Sequence, residues 1–240
     1  MAAVILQARG ISRAFGGLRA VDGVDFVLQA GEIHALIGPN GAGKTTFVSL
    51  LSGRLAPDSG KITLGEEDIT NLPAHARVNK GIAYTFQITS IYPRLTVFDN
   101  VALAAQARGA PDLQADVTAA LTRVNMANLA GQEAATLSYG HQRLLEVAMG
   151  LALQPRVLIL DEPTQGLASG EIAGFIALVR SLVPQTTVLL IEHNMDVVMD
   201  LAHRITVLNH GQVLATGTPT EIRANRAVQA AYLGVEDAGA

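Results

Sequence analysis

Compact apolar runs alternate with amphipathic stretches along the chain. Ile33-His34-Ala35-Leu36-Ile37 stops at Gly38 and predicts a buried strand. Thr45 to Gly53 follows as a helix that ends at the glycine. Val157-Leu158-Ile159-Leu160 and Thr187-Val188-Leu189-Leu190-Ile191 are unbroken apolar runs, the pattern of parallel strands covered on both faces. Between them, Glu171 to Leu182 sets Ile172, Phe175, Ile176 and Val179 at helical spacing. Strand, helix, strand, helix predicts an α/β sheet with crossover connections. The two ends differ. Val4 to Arg13 and Val24 to Leu28 read as short alternating strands, and Arg204 to Leu208 with Gln212 to Ala215 as a hairpin around His210-Gly211. From Thr96 to about Ala152 the pattern is helical, with Val97 to Ala107, Asp112 to Val124 and Gln142 to Leu153 as helices and Gly109-Ala110-Pro111 as a break. No strand is evident there, so this stretch reads as a helical subdomain inserted into the α/β core.

Composition narrows the picture. The 240 residues suit one large domain or two small ones, and 49% hydrophobic against 16% charged residues excludes a disordered chain. A formal net charge of −4 argues against a free-standing nucleic-acid binder. The absence of cysteine excludes disulfides, thiolate metal sites and a cysteine nucleophile. Met1 to Gly10 lacks the apolar stretch of a secretory signal, and no run of ~18 uncharged apolar residues predicts a membrane span. A mean hydropathy of +0.31 then implies a well-filled core or apolar surface kept for a partner. The expected place is the cytoplasm, free or docked on a membrane protein.

Gly38-Pro39-Asn40-Gly41-Ala42-Gly43-Lys44-Thr45-Thr46 matches G-x-x-x-x-G-K-[ST] between a predicted strand and a predicted helix, which is the context a phosphate-binding loop needs. Its glycines let backbone N–H groups wrap a phosphate, and the helix N-terminus adds partial positive charge. Lys44 is placed to reach the β- and γ-phosphates and the Thr45 hydroxyl to ligate Mg²⁺. The run Val157 to Leu160 ends in Asp161-Glu162, at the carboxyl edge of a strand where α/β folds bind ligands. Asp161 is the expected partner of Mg²⁺ through water, and Glu162, one residue on, the candidate general base for the attacking water. Guanine readout by an N-K-x-D element is not supported: Asn79-Lys80-Gly81 is followed by Ile82 where the aspartate would stand.

Leu137-Ser138-Tyr139-Gly140-His141-Gln142-Arg143 precedes the acidic strand. It resembles the LSGGQ signature of ABC ATPases, and with it the resemblance covers nearly the whole chain. Phe15 matches the adenine-stacking aromatic, Gln87 the Q-loop glutamine, His193 the switch histidine and Asp161-Glu162-Pro163-Thr164 the usual D-E-P-T run. The resemblance implies a P-loop NTPase core with N-terminal antiparallel strands: one domain over 1–240, its α/β core at 1–87 and 156–240 and its helical subdomain at 88–155. It implies ATP and Mg²⁺ as ligands, with Asn40, Gly41, Gly43, Lys44, Thr45 and Thr46 around the phosphates. Thr45, Gln87 and Asp161 would serve the metal, and Glu162, His193 and Gln87 the hydrolysis. Two copies, the same chain or a related one, would face head to tail, with Ser138 and Gly140 of one donating to the γ-phosphate held by the other.

The chain departs from the family pattern in two places, the signature and the turn at Ala168. Tyr139 and His141 replace residues of the commonest signature. Ala168, in Gln165-Gly166-Leu167-Ala168-Ser169, stands where the family usually has an aspartate linking the two active sites. The departure at Ala168 puts coupling between sites in question, not ATP binding.

Phe15 to Val21, the Ser138-Tyr139-Gly140 variant, Glu192 to Val198 and the tail from Gly217-Thr218-Pro219 to Ala231-Tyr232-Leu233-Gly234 look like the ATPase subunits of bacterial branched-chain amino-acid importers. Urea and amide importer subunits share these features. The lipopolysaccharide-export subunit shares the tail and Leu72-Pro73-Ala74-His75-Ala76-Arg77, but usually keeps both signature glycines. A soluble ABC ATPase acting on ribosomes or DNA fits poorly, since the chain has one set of motifs and no basic tract. The importer resemblance implies membrane permease subunits, met through the region Ile88 to Arg94, and indirectly a solute-binding protein. No nucleic-acid partner is implied. The expected location is peripheral, on the cytoplasmic face of the bacterial inner membrane.

Overall fold

The computed structural model describes residues 3–85 and 90–233. Gln87 and Ile88 therefore lie outside the described residues. The chain divides into two compact units, Met1–Arg77 with Leu189–Ala240, and Val78–Val188.

In the first unit, β1 (Val4–Phe15) and β2 (Leu18–Gln29) form an antiparallel hairpin. Its two-residue turn is Gly16-Gly17, with φ of 53° and 89°, the left-handed pair that a tight hairpin turn needs. Both strands outrun the expected Val4–Arg13 and Val24–Leu28, and the second begins at Leu18. Cross-strand pairs such as Arg13↔Val21 and Phe15↔Leu18 carry the ladder past several register shifts. Those bulges break the strict alternation by which the strands were read. β4 (Ser59–Leu64) pairs with β1, and the short β5 (Glu67–Asp68) with β4, giving the order β2-β1-β4-β5. The sequence pattern predicts neither strand.

The buried β3 (Ile33–Ile37) runs parallel to β9 (Arg204–Asn209), in register from His34↔Arg204 to Ile37↔Val207. β10 (Gln212–Gly217) returns antiparallel to β9 through His210-Gly211, as the sequence predicts. Helix α1 (Lys44–Leu51) follows β3, and Gly53 beyond it is left-handed at φ 77°. Helices α7 (Met195–Leu201), α8 (Pro219–Ala224) and α9 (Arg226–Leu233) complete this unit. Val198, Ile222 and Val228 of these helices join Ala35, Ile37, Ile205 and Val207 in one apolar core. Helix α2 (Ala74–Asn79) runs from the first unit into the second.

In the second unit, β6 (Ile82–Thr85) and β7 (Val157–Asp161) are parallel, in register from Ile82↔Val157 to Thr85↔Leu160. Its helices are α3 (Val97–Arg108), α4 (Leu113–Arg123), α5 (Tyr139–Ala152) and α6 (Ser169–Leu182). The Thr96 hydroxyl caps α3 and Asp112 caps α4, with a left-handed Gly109 closing α3. Helix α5 begins at Tyr139, not Gln142, because the Ser138 side chain caps it. The buried strand β8 (Thr187–Ile191) runs from the second unit into the first.

Candidate nucleotide site

The loop from Gly38 to Gly43 joins β3 to α1. Gly43 has φ 96°, and a Cβ built there would meet the backbone carbonyl oxygen of Ala20; one at Gly38 would meet that of Leu208. Both are backbone obstacles that cannot swing aside, so the loop tolerates only glycine at these two places. Lys44 is buried, and its Nζ donates to the carbonyl oxygens of Gly38 (2.6 Å) and Pro39 (3.1 Å). The ammonium thus lies curled over the loop it is expected to share with phosphate. Asn40, Gly41 and Thr45 are exposed, while Gly43 and Thr46 are half-buried.

The first unit also holds Phe15, His193 and Tyr232. Phe15 is 44% exposed, so it is no core aromatic, and the Arg13 guanidinium lies 5.1 Å from its ring centroid. His193 is exposed in the turn between β8 and α7. That turn is fixed by the buried Glu192, whose Oε2 accepts from the backbone N–H of His193 (2.9 Å) and Asn194 (3.1 Å). Tyr232 of α9 lies against Gly38; burial pushes its phenol pKa up to about 12, against the opposing pull of the Gly38 amide. Glu192 and Tyr232 carry no pattern of their own and are legible only as members of longer family-like stretches.

The second unit holds the acidic pair and the signature. Asp161 ends β7 at 3% exposure, and the Tyr84 hydroxyl of β6 donates to its Oδ2. Glu162 is also buried and stands at φ 49°. A left-handed non-glycine residue is uncommon, and such conformations gather at functional sites. Ser138 is exposed; its Oγ accepts from the His141 backbone N–H (3.3 Å) and lies 2.9 Å from His141 Nδ1. The departure at 141 therefore supplies a second partner for the signature serine. Gly140 is buried, and the Glu171 carboxylate occupies the place where its Cβ would go. Glu171 Oε2 also accepts from Ala168 N–H at 2.9 Å. The Tyr139 ring packs on Gly166, where an added Cβ would come within 2.8 Å of it, and lies 5.4 Å from the Arg143 guanidinium. In the segment expected to meet a permease, Tyr92 is exposed and Ile91 half-buried. Among the described residues, no cluster of three or more histidines and carboxylates is placed to hold a metal by itself.

A fold of this order, with a glycine-bounded lysine loop and an acid-tipped strand, defines a nucleotide-binding α/β protein. The ABC transporter family model matches residues 21–165, and that of the branched-chain amino acid ATP-binding cassette transporters matches residues 212–238. The chain belongs to the ABC transporter ATP-binding family, and it is an ATP-hydrolysing subunit of that kind. It is 38% identical to the high-affinity branched-chain amino acid transport ATP-binding protein BraF of Pseudomonas aeruginosa, over 98% of this chain and 99% of that one. It is 39% identical to LivG of Salmonella typhimurium, of the same description, over the same shares. The lipopolysaccharide export system ATP-binding protein LptB of Escherichia coli is 34% identical over 95% and 97%. Among solved structures, a nucleotide-free ATP-binding cassette of an ABC transporter superposes with a TM-score of 0.89 at 27% identity, over 97% of this chain and all of that one. A cassette in its ADP conformation gives 0.86 at 27%, over 97% and 99%. The expected α/β P-loop fold and the ABC family are thereby borne out. Members of this family work with membrane permease subunits. No helix among the described residues is long and apolar enough to cross a membrane.

Proposed function

We propose that this chain powers import of branched-chain or other hydrophobic amino acids, or related amides, through a membrane permease. What carries the reading is likeness at both ends of the chain: near-full-length identity to importer subunits, and a tail that matches the branched-chain transporter model. A lipopolysaccharide-type exporter is the second reading, favoured only by a more distant likeness. The subunit sits peripherally, on the cytoplasmic face of the inner membrane. It works as a nucleotide-sandwich dimer with an identical or related ATPase, and a solute-binding protein delivers the cargo to the permease. Within the chain, 88–155 acts as the helical subdomain between the two parts of the α/β core.

The donor set fits Mg²⁺ shared with phosphates. One buried carboxylate, Asp161, and one exposed hydroxyl, Thr45, are too few for a protein-only cage but match a cation that keeps water and phosphate ligands. When bound, the cation neutralises developing charge on the phosphates. Lys44 exchanges its two carbonyl partners for phosphate oxygens, and the amides from Gly41 to Thr46 hold the β-phosphate. Phe15 stacks on adenine. Glu162 takes a proton from the attacking water, while Gln87 and His193 orient the water and the γ-phosphate. Ser138 and Gly140 close the site from the opposite copy.

Two measurements test this. Glu162→Gln should bind ATP, hydrolyse it roughly 10²-fold more slowly or worse, and form a dimer with ATP and Mg²⁺ but not with ADP; turnover at the parental rate removes Glu162 from the mechanism. Cells lacking the chain should lose uptake of radiolabelled leucine and regain it with the intact chain but not with Lys44→Ala. Unchanged leucine uptake together with a lipopolysaccharide defect would install the exporter reading.

A further inference from the structure

We infer that Tyr84 is the positioning residue for the metal-side carboxylate: its hydroxyl donates to Asp161 Oδ2 and so sets the direction in which the carboxylate meets the Mg²⁺ shell. The inference rests on the reading of Asp161 given above and goes beyond it, because no motif assigns a role to Tyr84.

Strand register creates the contact. Tyr84 on β6 lies opposite Ile159 on β7, and paired residues of neighbouring strands project from the same face. Asp161 is two residues beyond Ile159, so it shares that face roughly 7 Å further along the strand. A tyrosine spans this distance, and the hydroxyl donates to Asp161 Oδ2. A phenylalanine would fill the same volume and donate nothing.

The chemistry follows from the burial of Asp161. A buried carboxylate must be hydrogen-bonded to stay ionised at tolerable cost. With a donor on Oδ2, rotation about the Cβ–Cγ bond is restricted and the carboxylate as a whole keeps its direction. Partners of this sort, which orient a ligand without touching the metal, typically cost about 10- to 100-fold in metal affinity when removed.

The test is the gain in nucleotide affinity on adding metal, read on the full chain with a fluorescent ATP analogue in Mg²⁺ and in EDTA. In EDTA, Tyr84→Phe should bind the analogue as the parent does, which also reports an intact fold. The Mg²⁺-to-EDTA affinity ratio should fall about 10-fold or more. Mn²⁺ titration followed by electron paramagnetic resonance, with the same nucleotide bound, should show the same loss. Asp161→Asn is the reference and should abolish the ratio. A parental ratio in Tyr84→Phe beside a collapsed ratio in Asp161→Asn overturns the inference alone. A parental ratio in both variants overturns the assignment of Asp161 and the inference with it. Equal weakening of Tyr84→Phe in EDTA and in Mg²⁺ assigns Tyr84 a packing role and also overturns the inference.

Discussion

Arg77 offers a demanding test of how the phosphate-loop helix is held. Its side chain is buried, and it donates to four backbone carbonyls: Leu50 (2.7 Å) and Leu51 (2.8 Å) at the end of α1, Leu72 (2.9 Å) and Thr70 (2.9 Å). Burial lowers its pKa only to about 10, so it is a cation at neutral pH. It therefore caps α1 at the end opposite Lys44, with charge of the sign the helix C-terminus favours. Replacing it with methionine keeps most of the apolar stem but removes every donor. Hydrogen bonds to a charged group are worth about 1.5–3 kcal/mol each, and the helix-end term up to about 2 kcal/mol. These do not add, and losing the buried charge recovers part of its desolvation cost. A net loss of roughly 3–5 kcal/mol follows. At about 2–4 °C per kcal/mol for a chain of this length, the melting temperature should drop by roughly 6–20 °C. Arg77→Lys should lose about half as much, since an ammonium cannot reach four carbonyls held in a planar fan. Thermal and urea unfolding without nucleotide, followed by circular dichroism, measures this. A methionine variant within about 1 kcal/mol of the parent would refute the capping argument.

Three shorter predictions concern other parts of the chain. His34 is fully buried between Glu32 (3.1 Å) and Thr206 (2.8 Å), and desolvation holds its pKa below 6.5, against the pull of Glu32. The unfolded chain then binds a proton that the folded chain resists, so stability is full above about pH 6.5 and is lost as the pH falls below it. The Glu32 pKa is itself lowered, so its own contribution fades only in more acidic solution; the urea midpoint should fall between about pH 7.5 and 5.5 in the parent and stay flatter in His34→Gln. Gly43→Ala should lose ATP affinity at least ~10-fold with an unchanged circular dichroism spectrum, because the added Cβ drives the loop off the Ala20 carbonyl; parental affinity would contradict the cradle argument. Ala168 offers no side-chain acceptor or donor across a dimer, and coupling between sites is typically about 1–3 kcal/mol. ATP hydrolysis should thus show a Hill coefficient near one that rises in Ala168→Asp, and a steep parental curve left unchanged by the substitution would count against weakened coupling.

Much of this was legible in the chain because it is written in local pattern. The runs at 33–37, 157–160 and 187–191 became β3, β7 and β8 because they are almost wholly apolar, with His34 the one polar residue inside a run. The glycine-bounded lysine loop is legible because its residues are contiguous, although the carbonyls of Leu208 and Ala20 that require Gly38 and Gly43 lie far along the chain. What stayed hidden depends on register and distance. β4 and β5 mix polar and apolar residues, and their pairing with β1 is set by tertiary contact, which periodicity does not encode. Arg77 was visible as part of a family-like stretch, but its four carbonyl partners lie as far as 27 residues away along the chain. Tyr84 lies in no strand that the sequence pattern predicts, and only the β6–β7 register sets it on the face of Asp161.

Two of the departures from the family pattern, Tyr139 and Ala168, meet in one place, and that changes how they should be read. Tyr139 could be taken as a lost glycine and Ala168 as a lost aspartate, two separate weakenings. Instead the Tyr139 ring packs on Gly166, two residues before Ala168, and Gly166 is left-handed with no side chain to obstruct the ring. Glu171 spans the same ground, its carboxylate against Gly140 and its Oε2 accepting from Ala168 N–H. The start of α5 and the start of α6 are thus tied by one aromatic contact and one carboxylate. A side chain at 166 would displace the tyrosine, and a Cβ at 140 would displace the carboxylate, so glycine at each position is required by the neighbour it accommodates. The link is made by packing within a single copy, although position 168 is alanine. A displacement at the start of α5 should therefore be felt at the Ala168 turn through Tyr139 and Glu171, without any polar side chain at 168.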